Sequence, residues 1–193
     1  SLITDAERDD LLRPAGAGTR RHGRPAVVHH YSEDGSIKRF APQAAPSNPR
    51  HPPAVWAIDE AHAPLYWFPR RCPRISVWAY DDTQRGRLSE LFETEATRIC
   101  AAETGWIDEI RSARLFEYHF DGELFAPWAE ADGQYITGEV VHPLDVVTHD
   151  DLLALHADHQ VELRFTPRLG RLMDAILASQ LPFGFVRIRD ARR

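Results

Sequence analysis

Cysteine is scarce in this sequence, and long apolar runs are absent. Cys72 and Cys100 are the only cysteines, and their spacing fits neither a CxxC zinc motif nor a disulfide framework. Both are interpreted as reduced packing residues of a cytoplasmic protein. No apolar run approaches the roughly 18 residues that a membrane-spanning helix needs. The sequence therefore predicts neither a membrane partner nor a secretory signal.

Several signatures of well-known chemistry are also missing. The chain has no GxGxxG, P-loop or GxSxG motif, so dinucleotide oxidoreductases, kinases and serine hydrolases lack their usual marks. Ten histidines are present without an HExxH motif. His156 and His159 share a helix face only if that helix runs past Asp158, so no metal site is predicted. The formal net charge of −6 argues against nucleic acid as the main partner.

Composition divides the chain into two regions. Thr4 and Glu7 have the spacing of a capping box, which predicts a short N-terminal helix. Residues 13–25 are rich in glycine, proline and arginine and are interpreted as a solvated linker, with a basic interaction arm as the alternative. We therefore expect a helix and flexible arm over residues 1–25 and a single compact domain over residues 26–191.

The compact region mixes short strands and short helices without regular βαβ spacing. The apolar patterns predict strands at 26–31, 55–58, 74–80, 115–120, 134–141, 161–165 and 185–188. They predict helices at 60–67, 82–92, 106–110, 150–158 and 168–179, and leave 97–102 undecided between strand and helix end. This order predicts an α+β fold with short helices and a small, mixed or mostly antiparallel split sheet.

Aromatic side chains concentrate in residues 53–80, which hold three of the five tryptophans. Such clusters line ligand clefts as well as cores, because aromatic rings bury large areas and carry polar tips. Arg70, Arg71 and Arg74 lie within this stretch. They could bind phosphate, could be solvated, or could pair with Asp59 and Glu60. The proline-rich loop at 42–53 could close over a cleft or wrap the surface.

Two long motifs carry a family resemblance. They are HYSED at residues 30–34 and PAVWAIDEAHAPLYWFPR at residues 53–70, followed by Arg74. Both resemble an uncharacterised bacterial family of unknown function over about residues 27–191. The family supplies no activity, so the resemblance predicts a shared fold only.

The layout more distantly resembles ADP-ribosyltransferase-type folds, which act on NAD. The resemblance implies that His30 on a first strand binds the NAD ribose and that Tyr66 stacks on nicotinamide. It implies that Glu139 on a late strand stabilises the positive charge that develops as the glycosidic bond breaks. The implied catalytic residues are therefore His30, Tyr66 and Glu139. The implied NAD-binding residues are His30, Tyr66, Trp67, Arg70 and Arg74.

The sequence leaves several alternatives open. His29 precedes His30, and only one of them can face a given side of the strand. His30, Tyr66 and Glu139 are also compatible with core, cleft-wall and surface positions. Besides an NAD- or nucleotide-handling enzyme, the residues fit a small-molecule tailoring enzyme with an aromatic-lined pocket, or a non-catalytic binding module. No cofactor is required, NAD is a possible substrate, and the oligomeric state is open.

Overall fold

The computed structural model describes residues 11–12, 23–45 and 49–192. The helix predicted around the Thr4–Glu7 capping box lies outside the described residues. The eleven strands of the described part are β1 Leu11–Leu12, β2 Val27–Ser32, β3 Val55–Ile58, β4 Arg74–Trp78, β5 Arg98–Glu103, β6 Leu115–Asp121, β7 Ala126–Pro127, β8 Gln134–Thr137, β9 Asp145–His149, β10 Glu162–Thr166 and β11 Phe183–Val186. The helices are α1 Asp82–Phe92, α2 Ile107–Ser112, α3 Leu152–Asp158 and α4 Gly170–Ser179.

The strands form two separate sheets. Sheet A has the order β1-β11-β4-β5-β10, in which only the β5–β10 pair is parallel within the described part. Sheet B has the order β7-β8-β3-β2-β6-β9 and is antiparallel throughout its described strands. The α+β fold with a split, mostly antiparallel sheet is therefore confirmed.

The helix starts follow from local side-chain chemistry. Asp81 caps α1 by accepting the Gln84 N–H at 2.8 Å, and Asp151 caps α3 by accepting the Ala154 N–H at 2.9 Å. Between β3 and β4, a 3₁₀ helix spans Glu60–Tyr66, and its Pro64 lacks the N–H that a longer regular helix would need. Tyr66 is the last residue of this short helix.

One hydrophobic core joins the two sheets. It contains Ile58 and Leu115 from sheet B and Cys100 and Ala102 from sheet A, all almost fully buried. A second core lies against sheet A beneath α1 and α4. A third covers the other face of sheet B, where Phe40 and Tyr118 are buried. Sheet B is therefore packed on both faces, and each of its faces has a different environment.

A chain of polar contacts also bridges the sheets. Asp59 follows β3 of sheet B, and its carboxylate contacts His62 Nδ1 at 2.6 Å. His62 Nε2 in turn contacts the hydroxyl of Tyr80, two residues beyond the end of β4 in sheet A. The Tyr80 hydroxyl donates to Asp132, which precedes β8, at 3.1 Å. We call this set, Asp59–His62–Tyr80–Asp132, the seam network.

Several predicted boundaries are wrong in detail. The strand predicted at 134–141 ends at Thr137, whose hydroxyl accepts the Glu139 N–H at 3.2 Å and turns the chain. The strand predicted at 185–188 lies at Phe183–Val186, and the undecided segment 97–102 belongs to strand β5. Strand β9 at Asp145–His149 was not predicted. Within the described residues, no helix is both long and apolar enough to cross a membrane.

Candidate acid–base site

His30 points to the third core. Its ring lies 5.2 Å from the Phe40 ring, and its Nδ1 contacts the Trp56 carbonyl at 2.9 Å. Burial lowers the pKa of His30, which keeps the imidazole neutral. The predicted ribose-binding residue is therefore packed on the face of sheet B that carries Tyr118 and Phe120.

Tyr66 lies on the other face of sheet B. Its hydroxyl accepts a hydrogen bond from Gln134 Nε2 at 2.6 Å, and Gln134 pairs in register with Ile58 of the joining core. The fold places His30 and Tyr66 on opposite sides of the sheet and does not bring them together. Their individual roles stay predictions.

Glu139 does not lie on a strand. It occupies an exposed bend after β8, beyond the point where β8 stops pairing with β3. Because the observed strand ends at Thr137, two residues before Glu139, the pleat does not fix the direction of the Glu139 carboxylate. Its predicted role as a charge stabiliser stays a prediction.

The predicted NAD-binding residues have mixed environments. Trp67 is buried, with its ring 5.5 Å from that of His156. Arg74 is 4% exposed and donates to the carbonyls of Leu65, Arg70 and Cys72, so it binds the backbone at the end of the 3₁₀ helix and just after it. Arg70 is exposed. Of the three, Arg70 has the surface position that a phosphate ligand would need.

Four side chains that the sequence analysis did not combine meet on the Tyr66 face of sheet B. Glu117 Oε1 contacts His29 Nδ1 at 2.7 Å and His119 Nε2 at 2.9 Å, and Glu117 Oε2 contacts His149 Nε2 at 2.5 Å. We call these four residues the His–Glu cluster. The rings of His29 and His119 meet edge to face, with centroids 5.0 Å apart.

Strand register explains the convergence. His29 lies directly opposite His119, and Tyr31 opposite Glu117, in the β2–β6 pair. Successive residues of a strand point to opposite faces, so Glu117 and His119 share one face while Tyr118 between them enters the third core. In the β6–β9 pair, His149 lies opposite Leu115. Leu115 is two residues before Glu117 and points to the same face of the sheet, so His149 lies on that face too. Three neighbouring strands thus supply the cluster.

The cluster is shielded but not sealed. The exposed fractions of its side chains are 12% for His29, 14% for Glu117, 18% for His149 and 25% for His119. Burial alone would raise the pKa of Glu117, but hydrogen bonds from His149, His29 and His119 outweigh it and hold that pKa well below its usual range. Burial and the Glu117 charge raise the pKa of Tyr31. Glu117 is therefore ionised at neutral pH, and Tyr31 is neutral.

The arrangement has a defined hydrogen-bonding logic. An ionised carboxylate can only accept, so each histidine must donate the N–H that faces Glu117. A neutral His29 then has its proton on Nδ1 and a basic lone pair on Nε2. A carboxylate that fixes an imidazole in this way prepares it to take a proton from a substrate or a water. The cluster has the parts of an acid–base site.

A sequence signal for the cluster did exist. The alternation in residues 115–120 places Glu117 and His119 on the same side of one strand. The neighbouring strands could not be assigned, because strand order is not encoded in local periodicity. The sequence pattern did not identify His149, because its strand is mostly exposed and lacks a clear apolar pattern.

Comparison with known proteins adds a family and no activity. A family model described as a family of unknown function, DUF6886, matches residues 29–191. The chain belongs to this family. The DUF6886 match begins at His29 and contains the whole His–Glu cluster, and it confirms the expected resemblance to an uncharacterised family. No significant match was found among curated proteins or among solved structures.

Proposed function

We propose that this DUF6886 protein is an enzyme that acts on a small polar molecule, with the His–Glu cluster as its acid–base centre. One observation carries the proposal: three imidazoles converge on the Glu117 carboxylate at 2.5–2.9 Å on a single, solvent-reachable sheet face. Titratable groups held together in a partly buried position are typical of active sites.

The chemistry assigned to the cluster is proton transfer. Glu117 accepts the Nδ1–H of His29 and orients the ring, and His29 Nε2 takes a proton from a substrate hydroxyl or a water. The resulting imidazolium is stabilised by the adjacent Glu117 charge. A general base of this kind accelerates reactions by about 100-fold to 10,000-fold.

Paired carboxamide variants test the proposal. The protein is screened for turnover of p-nitrophenyl acetate, p-nitrophenyl phosphate and NAD, and for thermal stabilisation by a metabolite library. Glu117→Gln should lower any turnover found by about 100-fold or more. Glu139→Gln, at an exposed position, is the matched control and should behave like the wild type. The reverse pattern, with loss only in Glu139→Gln, would instead support the carboxylate implied by the resemblance.

A second candidate function is NAD handling of the ADP-ribosyltransferase type. The observation in its favour is that β2, β3 and β8 are neighbours in sheet B and that Tyr66 and Gln134 are hydrogen-bonded at 2.6 Å. In this version His29, one register position from His30, supplies the imidazole on the Tyr66 face. Glu117 supplies the carboxylate.

Ligand-induced stabilisation distinguishes the two candidates. NAD, ADP-ribose and nicotinamide are titrated in a thermal-shift assay, because a ligand that binds the folded state raises the melting temperature. NAD handling predicts a shift with NAD that Tyr66→Phe and His29→Gln reduce, together with nicotinamide release. A shift without nicotinamide release would favour a non-catalytic binding module. A shift only with molecules unrelated to NAD would leave the acid–base proposal as the better account.

A further inference from the structure

We propose that His29, Glu117 and His119 bind one divalent transition-metal ion, and that His149 supports Glu117 from the neighbouring strand. This inference rests on the proposed function and deepens it by naming the group that the His–Glu cluster holds. When the ion binds, the nitrogens of His29 and His119 that face Glu117 lose their protons and become ligands, so the proton acceptor is then a water on the ion and not His29. The expected ions are Zn²⁺, Mn²⁺ and Fe²⁺, and the ligand set is two imidazoles and one carboxylate.

The distances suit an ion. One ligand atom each from His29, Glu117 and His119 lie within 4.8 Å of one another. Ligand atoms about 2.1 Å from an ion lie about 3.0 Å apart in neighbouring octahedral positions and about 3.4 Å apart in tetrahedral positions. The observed contacts of 2.7 and 2.9 Å to Glu117 Oε1 need to open by about 0.1–0.3 Å for octahedral coordination and by about 0.5–0.7 Å for tetrahedral coordination.

The number of imidazoles also favours an ion. A single hydrogen bond from Glu117 is enough to fix the tautomer and orientation of one catalytic histidine. Three histidines around one carboxylate exceed that need. They match the donor sets of transition-metal centres, where imidazole and carboxylate ligands are combined.

The direction of approach leaves room for a substrate. All three ligands rise from the same face of sheet B, so they fill one hemisphere around an ion. Their exposed fractions of 12–25% show that solvent reaches the cluster. A catalytic metal centre keeps positions open for water or substrate, whereas a structural site is closed by protein ligands. The geometry therefore fits a substrate that binds through an oxygen atom.

Tyr31 is a positioning residue in this proposal. It lies opposite Glu117 in the β2–β6 register and packs against the core that joins the sheets. Ligating carboxylates are commonly supported by such neighbours, which hold them in a fixed orientation.

Metal binding is measured directly on the full chain. The protein, with any affinity tag removed, is treated with a chelator and desalted, and Zn²⁺, Mn²⁺ and Co²⁺ are titrated by calorimetry with Ca²⁺ as the negative control. The expected result is one transition-metal ion per chain. The visible absorption of bound Co²⁺ should carry bands typical of nitrogen and oxygen ligands. Absence of saturable binding by all three ions would overturn the proposal.

Matched variants locate the ion. His119→Gln and His149→Gln should weaken Zn²⁺ binding by about 100-fold or more and about 10-fold or more, respectively. The control variants His142→Gln and Glu139→Gln, both exposed, should bind like the wild type. Equal affinity in His119→Gln and the wild type would reject the site. If His119→Gln does not fold, His149→Gln is the variant to use. His149 lies on the edge strand β9, so its replacement leaves the core intact.

Metal binding and enzyme activity can fail separately. If no ion binds but Glu117→Gln abolishes turnover, the metal proposal is wrong and the acid–base function stands with His29 as the base. If one ion binds but no substrate is found and the library gives no thermal shift, the metal site stands and the proposed function is wrong.

Discussion

His156 is a buried histidine with one satisfied nitrogen. Its Nδ1 contacts the Leu152 carbonyl at 2.6 Å, and among the described residues its buried Nε2 has no hydrogen-bond partner. The side chain packs against the rings of Trp67 and Phe68. Burial lowers the pKa of His156 to about 4. The folded protein therefore resists protonation at this site.

The lowered pKa predicts acid-sensitive stability. Below about pH 6.5 the unfolded chain gains a proton on His156, whereas the folded chain gains it only near its own pKa of about 4. The free energy of unfolding should therefore fall as the pH falls between these values, by up to about 3 kcal/mol. Urea unfolding measured at about pH 7.5 and about pH 4.5 checks this. His156→Leu should flatten the dependence, and His142→Leu, at an exposed position, should leave it unchanged.

Both cysteines should be inert in the folded protein. Burial raises the pKa of the Cys72 thiol to about 12 and also raises that of Cys100. Thiol reagents attack the thiolate, so Ellman's reagent should react with neither residue at about pH 8 until urea unfolds the chain. Rapid labelling of either thiol without denaturant would contradict this prediction.

At the scale of single elements, the turn that precedes β8 depends on Gly133. Its φ of +79° lies in the left-handed region, and a Cβ added there would lie 2.2 Å from Nδ1 of His62. Gly133→Ala should therefore destabilise the fold by about 2 kcal/mol or more, measured by urea unfolding. Gly138 directly follows β8 and has open space around it, so Gly138→Ala should stay within about 0.5 kcal/mol of the wild type.

Elements with a strong local signal were predictable, and those defined by pairing were not. The apolar spacing of Leu88, Leu91 and Phe92 predicts a helix at 82–92, and α1 has those bounds. Strand β9 was missed, because Val147 and Thr148 are exposed and the strand is stabilised by pairing with β6. Strand β8 was predicted too long, because Thr137 turns the chain through a side-chain contact that periodicity does not report.

At the scale of the whole molecule, the seam network should contribute to the docking of the two sheets. Tyr80→Phe removes the contacts of the hydroxyl with His62 and Asp132 and should lower the free energy of unfolding by about 1–2 kcal/mol. A double-mutant cycle with Asp132→Ala should show that the two losses are not additive. Fully additive losses would mean that Tyr80 and Asp132 are not energetically coupled.

The fold class followed from the sequence, but the location of the site did not. Mixed short elements indicated α+β correctly. The His–Glu cluster depends on β2, β6 and β9 being neighbours, and that order is set by packing between residues more than 80 positions apart, such as His29 and Glu117 at a separation of 88. His29 could have been chosen over His30 only with knowledge of which face each core covers.

Sheet A is completed by strands β10 and β11, which come much later in the sequence than the strands they pair with. Leu11 pairs with Phe185, and β10 pairs with β5 across the whole of β6 to β9. A nascent chain emerging from the ribosome can pair β2, β3 and β6 early, but β4 must wait for β11 to cover its open edge. Until β11 is synthesised, that edge is available to other chains, so truncation near residue 180 should yield aggregates and not a smaller stable protein.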